Sequence, residues 1–217
     1  MFANKNMNNL TLDYIVKKFN IDLTQKSPFV LKFNRLTDLP QLFKELNFKS
    51  GAEIGVLYAK YSEILCKTLP DTQIYSVDPW TFYPLYNNFR RSWRYQPMYE
   101  GVVKTLAPYP NSHIVRKYSV DAAKDFKDES LDFVFIDADH RFQFVTNDIA
   151  EWSKKVKVGG IVAGHDYLPG RRTKDFVHVI EVVNAWTQAY GIHPWFVLEA
   201  PEETSWMWVK LRSEPIK

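Results

Sequence analysis

The run "GAEIGVLYAKYSEILCKTLPDTQIYSVD", residues 51–78, decides the fold. "AEIGVL" is a short apolar run of β-prone character, "KYSEILCKTL" carries its apolar residues at helical spacing, and "QIYSVD" is a second strand-like run closed by an acid. Strand, helix and strand in direct succession make a right-handed crossover between parallel strands. Downstream the alternation continues. "QPMYEGVVKTLAPY" reads as a helix and "SHIVRKY" as a strand; "SVDAAKDF" is a short helix, "LDFVFID" a fourth strand and "FQFVTNDIAEWSKKV" a long helix. "GGIVAGH" is the fifth strand and "TKDFVHVIEVVNAWTQAY" the last helix. "PWFVLEA" and "SWMWVKL" then flank "PEET" with no helix between them, which predicts an antiparallel hairpin. The expected fold is α/β: a doubly wound, mostly parallel sheet of seven strands with an antiparallel C-terminal hairpin. Upstream of residue 51, "LDYIVKKF" and "TDLPQLFKELNF" have helical periodicity, so residues 1–50 read as an N-terminal helical extension and residues 51–217 as the main domain.

Composition narrows the function classes. The 217 residues are 46% hydrophobic and 24% charged, which is globular and long enough for one sizeable core. A formal net charge of +3 suits an anionic small molecule and is too small for a nucleic-acid footprint. Cys66 is the single cysteine, which excludes an intrachain disulfide framework and CxxC metal or redox motifs. No run of eighteen apolar residues exists, so no membrane helix is expected. The N-terminal residues lack a basic segment followed by an apolar one, so a cytoplasmic protein is expected.

The chemistry collects at the carboxyl ends of the strands, where open α/β sheets bind ligands. Glu53 and Gly55 end the first strand, and Ala59 and Ser62 open its helix. Asp78 ends the second strand, placed to accept the hydroxyls of a ribose, with Trp80 beside it to cover a base. Asp78 also suits a turn before proline, and Trp80 suits ordinary packing. Asp137, Asp139 and His140 close the fourth strand, and His165, Asp166 and Tyr167 close the fifth. Carboxylates and imidazoles at two adjacent strand ends could hold a divalent cation or run proton transfer. Asp139 equally suits a helix cap, and His165 a backbone hydrogen bond. The segment at residues 79–99 interleaves Arg90, Arg91 and Arg94 with Phe89, Trp93, Tyr95 and Tyr99, and "PGRRTK" adds a second basic loop. Arginine forks and aromatic faces suit a polar acceptor, anionic or glycosylated. A solvated face or a dimer contact is an equal reading of the first insert.

From residue 51 to Tyr167 the sequence resembles the class I S-adenosylmethionine-dependent methyltransferases, in particular a family acting on small molecules. The resemblance rests on Glu53-Ile54-Gly55-Val56, Val77-Asp78-Pro79-Trp80, Ile136-Asp137-Ala138-Asp139-His140, and then Asp148, Trp152, Gly159-Gly160 and His165-Asp166-Tyr167, four motifs in order. It implies S-adenosylmethionine as cofactor, with Glu53 and Gly55 at its methionine portion, Asp78 at its ribose, Ser119 and Val120 at its adenine edge, and Asp137 at its amino group or at a metal. It also implies a Mg2+ ion held by Asp137, Asp139 and Asp166, with His165 as a further candidate ligand. Phe142 stands where the family carries tyrosine, and Ala59 where it carries glycine. Methyl transfer to a hydroxyl needs alignment and a base. His140 is the candidate base, with Asp139 and His165 as the other catalytic candidates. A non-catalytic cofactor-binding module and a hydroxylase-like enzyme on the same scaffold are the rival readings, although no two-His-one-carboxylate iron set stands out in the spacing.

Overall fold

The structure is a computed structural model, and it describes residues 10–81, 94–168, 177–201 and 204–213. Residues 82–93 of the aromatic and basic insert and residues 169–176, which include "PGRRTK", lie outside the described residues.

Fifteen elements are described. They are α1 (Leu10–Lys18), β1 (Phe29–Lys32), α2 (Asp38–Glu45), β2 (Ser50–Ile54), α3 (Lys60–Thr68), β3 (Gln73–Val77), α4 (Tyr95–Leu106) and β4 (Ser112–Val115). The chain continues through α5 (Ser119–Ala123), β5 (Leu131–Ile136), α6 (Phe142–Lys155), β6 (Val156–Gly164), α7 (Val179–Ala189), β7 (Trp195–Glu199) and β8 (Thr204–Val209). One sheet holds all the strands in the order β1-β7-β8-β6-β5-β2-β3-β4. Only β8 runs against its neighbours, pairing antiparallel with both β6 and β7.

The alternation of side chains along β5 shows why the fold has three layers. Phe133 and Phe135 enter one core with Leu12 and Ile15 of α1, Leu39, Leu42 and Phe43 of α2 and Leu65 of α3. Val134 and Ile136 enter the other, with Ala122 of α5, Ile149 and Trp152 of α6 and Val183 of α7. A strand buried on both faces reads as a continuous apolar run, which is what "LDFVFI" is. Phe133 stacks on Phe43 with ring centroids 4.0 Å apart. It fits because its neighbour across the ladder is Gly51: a Cβ there would stand 2.1 Å from the Phe133 ring.

The amino ends of the central strands are pinned by charge. Asp132 accepts hydrogen bonds from the backbone N–H groups of Lys49 and Ser50, at 2.6 and 2.9 Å, and from Lys157 Nζ at 2.7 Å. Buried Lys210 donates to the carbonyls of Ser153 and Val156, closing the carboxyl end of α6 where it runs straight into β6.

Two features differ from the sequence reading. The sheet has eight strands rather than seven, because "FVLK" forms β1 and pairs parallel with β7, Phe29 opposite Phe196 and Lys32 opposite Glu199. Four residues are too few to show a period, and their one buried side chain, Leu31, leaves no pattern to read. The last helix begins at Val179, with Val177 and His178 outside it.

Candidate active site

At the switch point of the sheet, β2 lies between β5 and β3, and their carboxyl ends open one crevice. The loop leaving β2 is left-handed at Gly55 (φ 90°), Leu57 (φ 53°) and Ala59 (φ 60°). A Cβ on Gly55 would stand 2.2 Å from the Asp137 carbonyl oxygen, so glycine is required there by the chain leaving β5. Close packing of the loops leaving β2 and β5 is thus one reason for glycine at this position.

Glu53 and Ser62 lie beneath the crevice. Ser62 Oγ donates to Glu53 Oε2 and shares a 2.7 Å hydrogen bond with Ser76 Oγ, and both Glu53 and Ser62 are buried. Burial pushes the Glu53 carboxyl up to about 8; the bond from Ser62 opposes this, and the negative charge of Asp137 adds to it. Ala59 is buried as well. Glu53, Ser62 and Ala59 therefore shape the loop from below instead of presenting their side chains at the surface of the crevice.

Asp78, at the end of β3, is half-buried at the mouth. Its Oδ2 accepts from the N–H groups of Val56 and Leu57 at 3.0 and 3.1 Å, and its Oδ1 from the N–H of Trp80 at 2.8 Å. One carboxylate thus ties the β2–α3 loop to the β3 end. Trp80 is only 1% exposed, left-handed at φ 39°, and donates its indole N–H to Leu57 O at 3.0 Å. The structure makes it a packing residue against Tyr99, and the base-covering role is taken from it. Exposed apolar surface at this mouth comes instead from Leu57 and Tyr58 after β2 and from Tyr118 and Val120 after β4. Tyr95 at the start of α4 is close enough to Asp78 and Tyr118 that burial, then their charges, raise its phenol.

Ser119 starts α5 with its hydroxyl turned inward: it donates to Asp148 Oδ1 and accepts from Trp152 Nε1 at 2.9 Å. Burial pushes Asp148 up to about 7; Ser119 opposes this, Asp139 adds to it and His140 opposes it.

The carboxylate cluster forms at the ends of β5 and β6, which pair in parallel. His140 Nε2 lies 3.3 Å from Asp137 Oδ1 and 3.0 Å from Asp166 Oδ2. His165 Nδ1 lies 3.6 Å from Asp137 Oδ1 and 3.2 Å from Asp166 Oδ1. One donor atom from each of Asp137, His140, His165 and Asp166 falls within 4.8 Å of the others. Burial draws the His140 pKa down, but the hydrogen bonds and charges of Asp137 and Asp166 outweigh it and hold the imidazole protonated well above its usual range. Asp166 is depressed: burial raises it, and the two histidines more than reverse that.

Asp139 is not in this set. Its carboxylate grips Arg141, with Nε 2.9 and 3.1 Å from the two oxygens and Nη2 on Oδ2, and it caps the Arg141 N–H at 3.0 Å. Of the expected Mg2+ set, Asp137 and Asp166 come together with His140 and His165 in a group that could hold an ion, and Asp139 lies outside it. Two imidazoles among four donors do not suit hard Mg2+, which takes oxygen ligands; they suit a borderline transition ion. The spacing hid a two-His, two-carboxylate set that the fold assembles.

Arg35, on the loop between β1 and α2, went unnoticed in the sequence. Its Nη1 lies 3.9 Å from Asp137 Oδ2, and its guanidinium lies over the Tyr61 and Phe135 rings at 5.4 and 5.7 Å. These three partners are 26 or more residues away in sequence, so no local signal announces their meeting.

With this geometry in hand, comparison decides the family: a family model described as a methyltransferase domain matches residues 52–167, more than half of the chain. The chain belongs to that methyltransferase family. Its matched span starts in β2 and ends at Tyr167, so it takes in Asp78 and the whole four-residue cluster. This methyltransferase is 24% identical over 171 residues to protein R132 of Acanthamoeba polyphaga mimivirus, across 77% of this chain and 73% of that one. It is similar in structure to an O-methyltransferase from Bacillus cereus in complex with S-adenosylhomocysteine, at TM-score 0.59 and 14% identity, covering 97% of this chain and 94% of that one. It is also similar to a SAM-dependent O-methyltransferase from Thermotoga maritima, at TM-score 0.57 and 12% identity, covering 89% and 71%. At such identities the two structures attest the fold. The methyltransferase is of class I, and S-adenosylmethionine is its expected methyl donor. No helix among the described residues is long and apolar enough to cross a membrane.

Proposed function

We propose that this methyltransferase transfers a methyl group from S-adenosylmethionine to a hydroxyl oxygen of a small polar acceptor, with His140 taking the hydroxyl proton. The observation that carries the reading is His140 itself, set between Asp137 and Asp166 at the ends of β5 and β6, in a chain whose matched domain is a methyltransferase. The mouth fits the cofactor: Asp78 ends the neighbouring strand, and exposed Leu57, Tyr58, Tyr118 and Val120 offer apolar faces around it. The cofactor, when bound, supplies an electrophilic methyl group on a sulfonium. The chain's own part is to align the acceptor and to remove its proton. Because Asp137 and Asp166 hold His140 protonated, that proton first passes to solvent, and the neutral imidazole left between the two carboxylates then takes the acceptor's proton, so turnover on this reading rises with pH into the alkaline range.

An acceptor carrying sugar or anionic groups is the finer reading, supported by the arginine and aromatic content of residues 79–99. No step is assigned to Mg2+, because the donor set is not an oxygen cage. The observation that two histidines and two carboxylates converge favours one second reading, an oxidative enzyme using a transition ion held by Asp137, His140, His165 and Asp166. Incubation of the purified chain with methyl-labelled S-adenosylmethionine and a panel of hydroxylated, glycosylated and phosphorylated acceptors tests the first reading. Label should appear in an ether linkage of the acceptor. Oxygen uptake by the iron-loaded chain with no label transferred would favour the second.

A further inference from the structure

We propose that Arg35 binds the α-carboxylate of the cofactor's methionine portion, so that the segment before the matched domain completes the cofactor site. The inference rests on the proposed function, since it presumes the sulfonium nucleoside in the crevice. The methionine end is a zwitterion and asks for a cation as well as an anion. At the ends of β2 and β5 the anion is Asp137. Among the described residues, the arginine or lysine within ion-pair distance of Asp137 is Arg35, with Nη1 3.9 Å from Oδ2. At that separation the two groups interact through charge rather than through a close hydrogen bond.

The guanidinium is also held in place beforehand. It lies over two buried rings, Tyr61 from α3 and Phe135 from β5, which fix it from two elements beneath the crevice. The loop that carries it is fixed by its own hydrogen bonds: Asn34 N–H donates to Asp38 Oδ2 at 2.8 Å, Leu36 N–H to Asn34 Oδ1 at 2.7 Å, and Asp38 N–H to Asn34 O at 2.8 Å. β1 is parallel to β7, and β7 and β6 both run against β8, so the loop after β1 leaves the sheet at the end where the crevice opens. A cation placed by a rigid loop at little conformational cost is well suited to a fixed carboxylate.

The test uses the full chain and two probes, S-adenosylhomocysteine and its decarboxylated analogue, titrated calorimetrically. The wild type should prefer the carboxylate-bearing probe by roughly 10- to 100-fold, the scale of a charge-assisted hydrogen bond. Arg35→Met should lose that preference by weakening the first probe alone, leaving the analogue within about 2-fold. Arg35→Lys, which keeps the charge without the fork, should retain a reduced preference. Equal loss of both probes in Arg35→Met, or no loss of either, would overturn the assignment while leaving the cofactor reading intact. Absence of binding of both probes to the wild type would overturn the cofactor reading and this assignment together.

Discussion

His140 stands between two carboxylates because Asp137 and Asp166 end adjacent parallel strands, and their side chains converge where the sheet stops. Replacing it with alanine should lower kcat by about 10²–10⁴, the usual worth of a positioned general base. Binding of S-adenosylhomocysteine should stay within a few-fold of wild type. Steady-state kinetics with calorimetry check both halves, and near-full turnover in His140→Ala would remove His140 from the reaction. The acids and histidines at strand ends were legible because a polar group directly after an apolar strand has nowhere to go but the crevice. Which way each one turned was not. Asp139 took Arg141, two residues on, as a local partner. Ser62 and Ser119 took buried carboxylates, Glu53 and Asp148, contacts that close only when the helices dock. Trp80 has a buried ring and a left-handed backbone, a conformation the Asp-Pro-Trp sequence does not advertise.

Helices α5 and α6 meet through the Ser119, Asp148 and Trp152 network, and its burial sets a pH dependence. The folded Asp148 carboxyl titrates at about 7, raised from an ordinary 3.8 by burial, so the folded state holds that proton more tightly than the unfolded state. The contribution of this carboxyl is then fully present below about pH 4, is lost as pH rises toward 7, and levels off above it. The full effect is on the order of 4 kcal/mol for a shift of that size. Asp148→Asn, which keeps a partner for Ser119 without a charge, should match wild type near pH 4 and exceed it at pH 8 in urea melts. Some slope should remain in that variant, since Glu53 is displaced in the same direction. A wild-type stability that rises across this range would contradict the burial account. Among the elements themselves, the long alternating ones were readable from their periods. β1 was not: its place is fixed by pairing with β7, more than 160 residues later.

Over the whole molecule, the three layers follow from one strand pattern, the continuous apolar run of β5 with helices drawn to both faces. The parallel order fixes the crevice at the switch point, and the antiparallel β8 completes the sheet beyond β6. Residues 10–50 share that sheet and its core through β1, α1 and α2, which is how a residue outside the matched domain arrives at the mouth.

The measurement that tests the central claim most directly is a titration of S-adenosylhomocysteine into the wild type and into Asp78→Asn, a change that keeps the side chain's size and removes its charge. With Asp78 proposed to accept the ribose hydroxyls, the account predicts saturable one-to-one binding to the wild type, weakened roughly tenfold or more in the variant by loss of that proposed charge-assisted bond. No binding to the wild type, or equal binding to both, would contradict it.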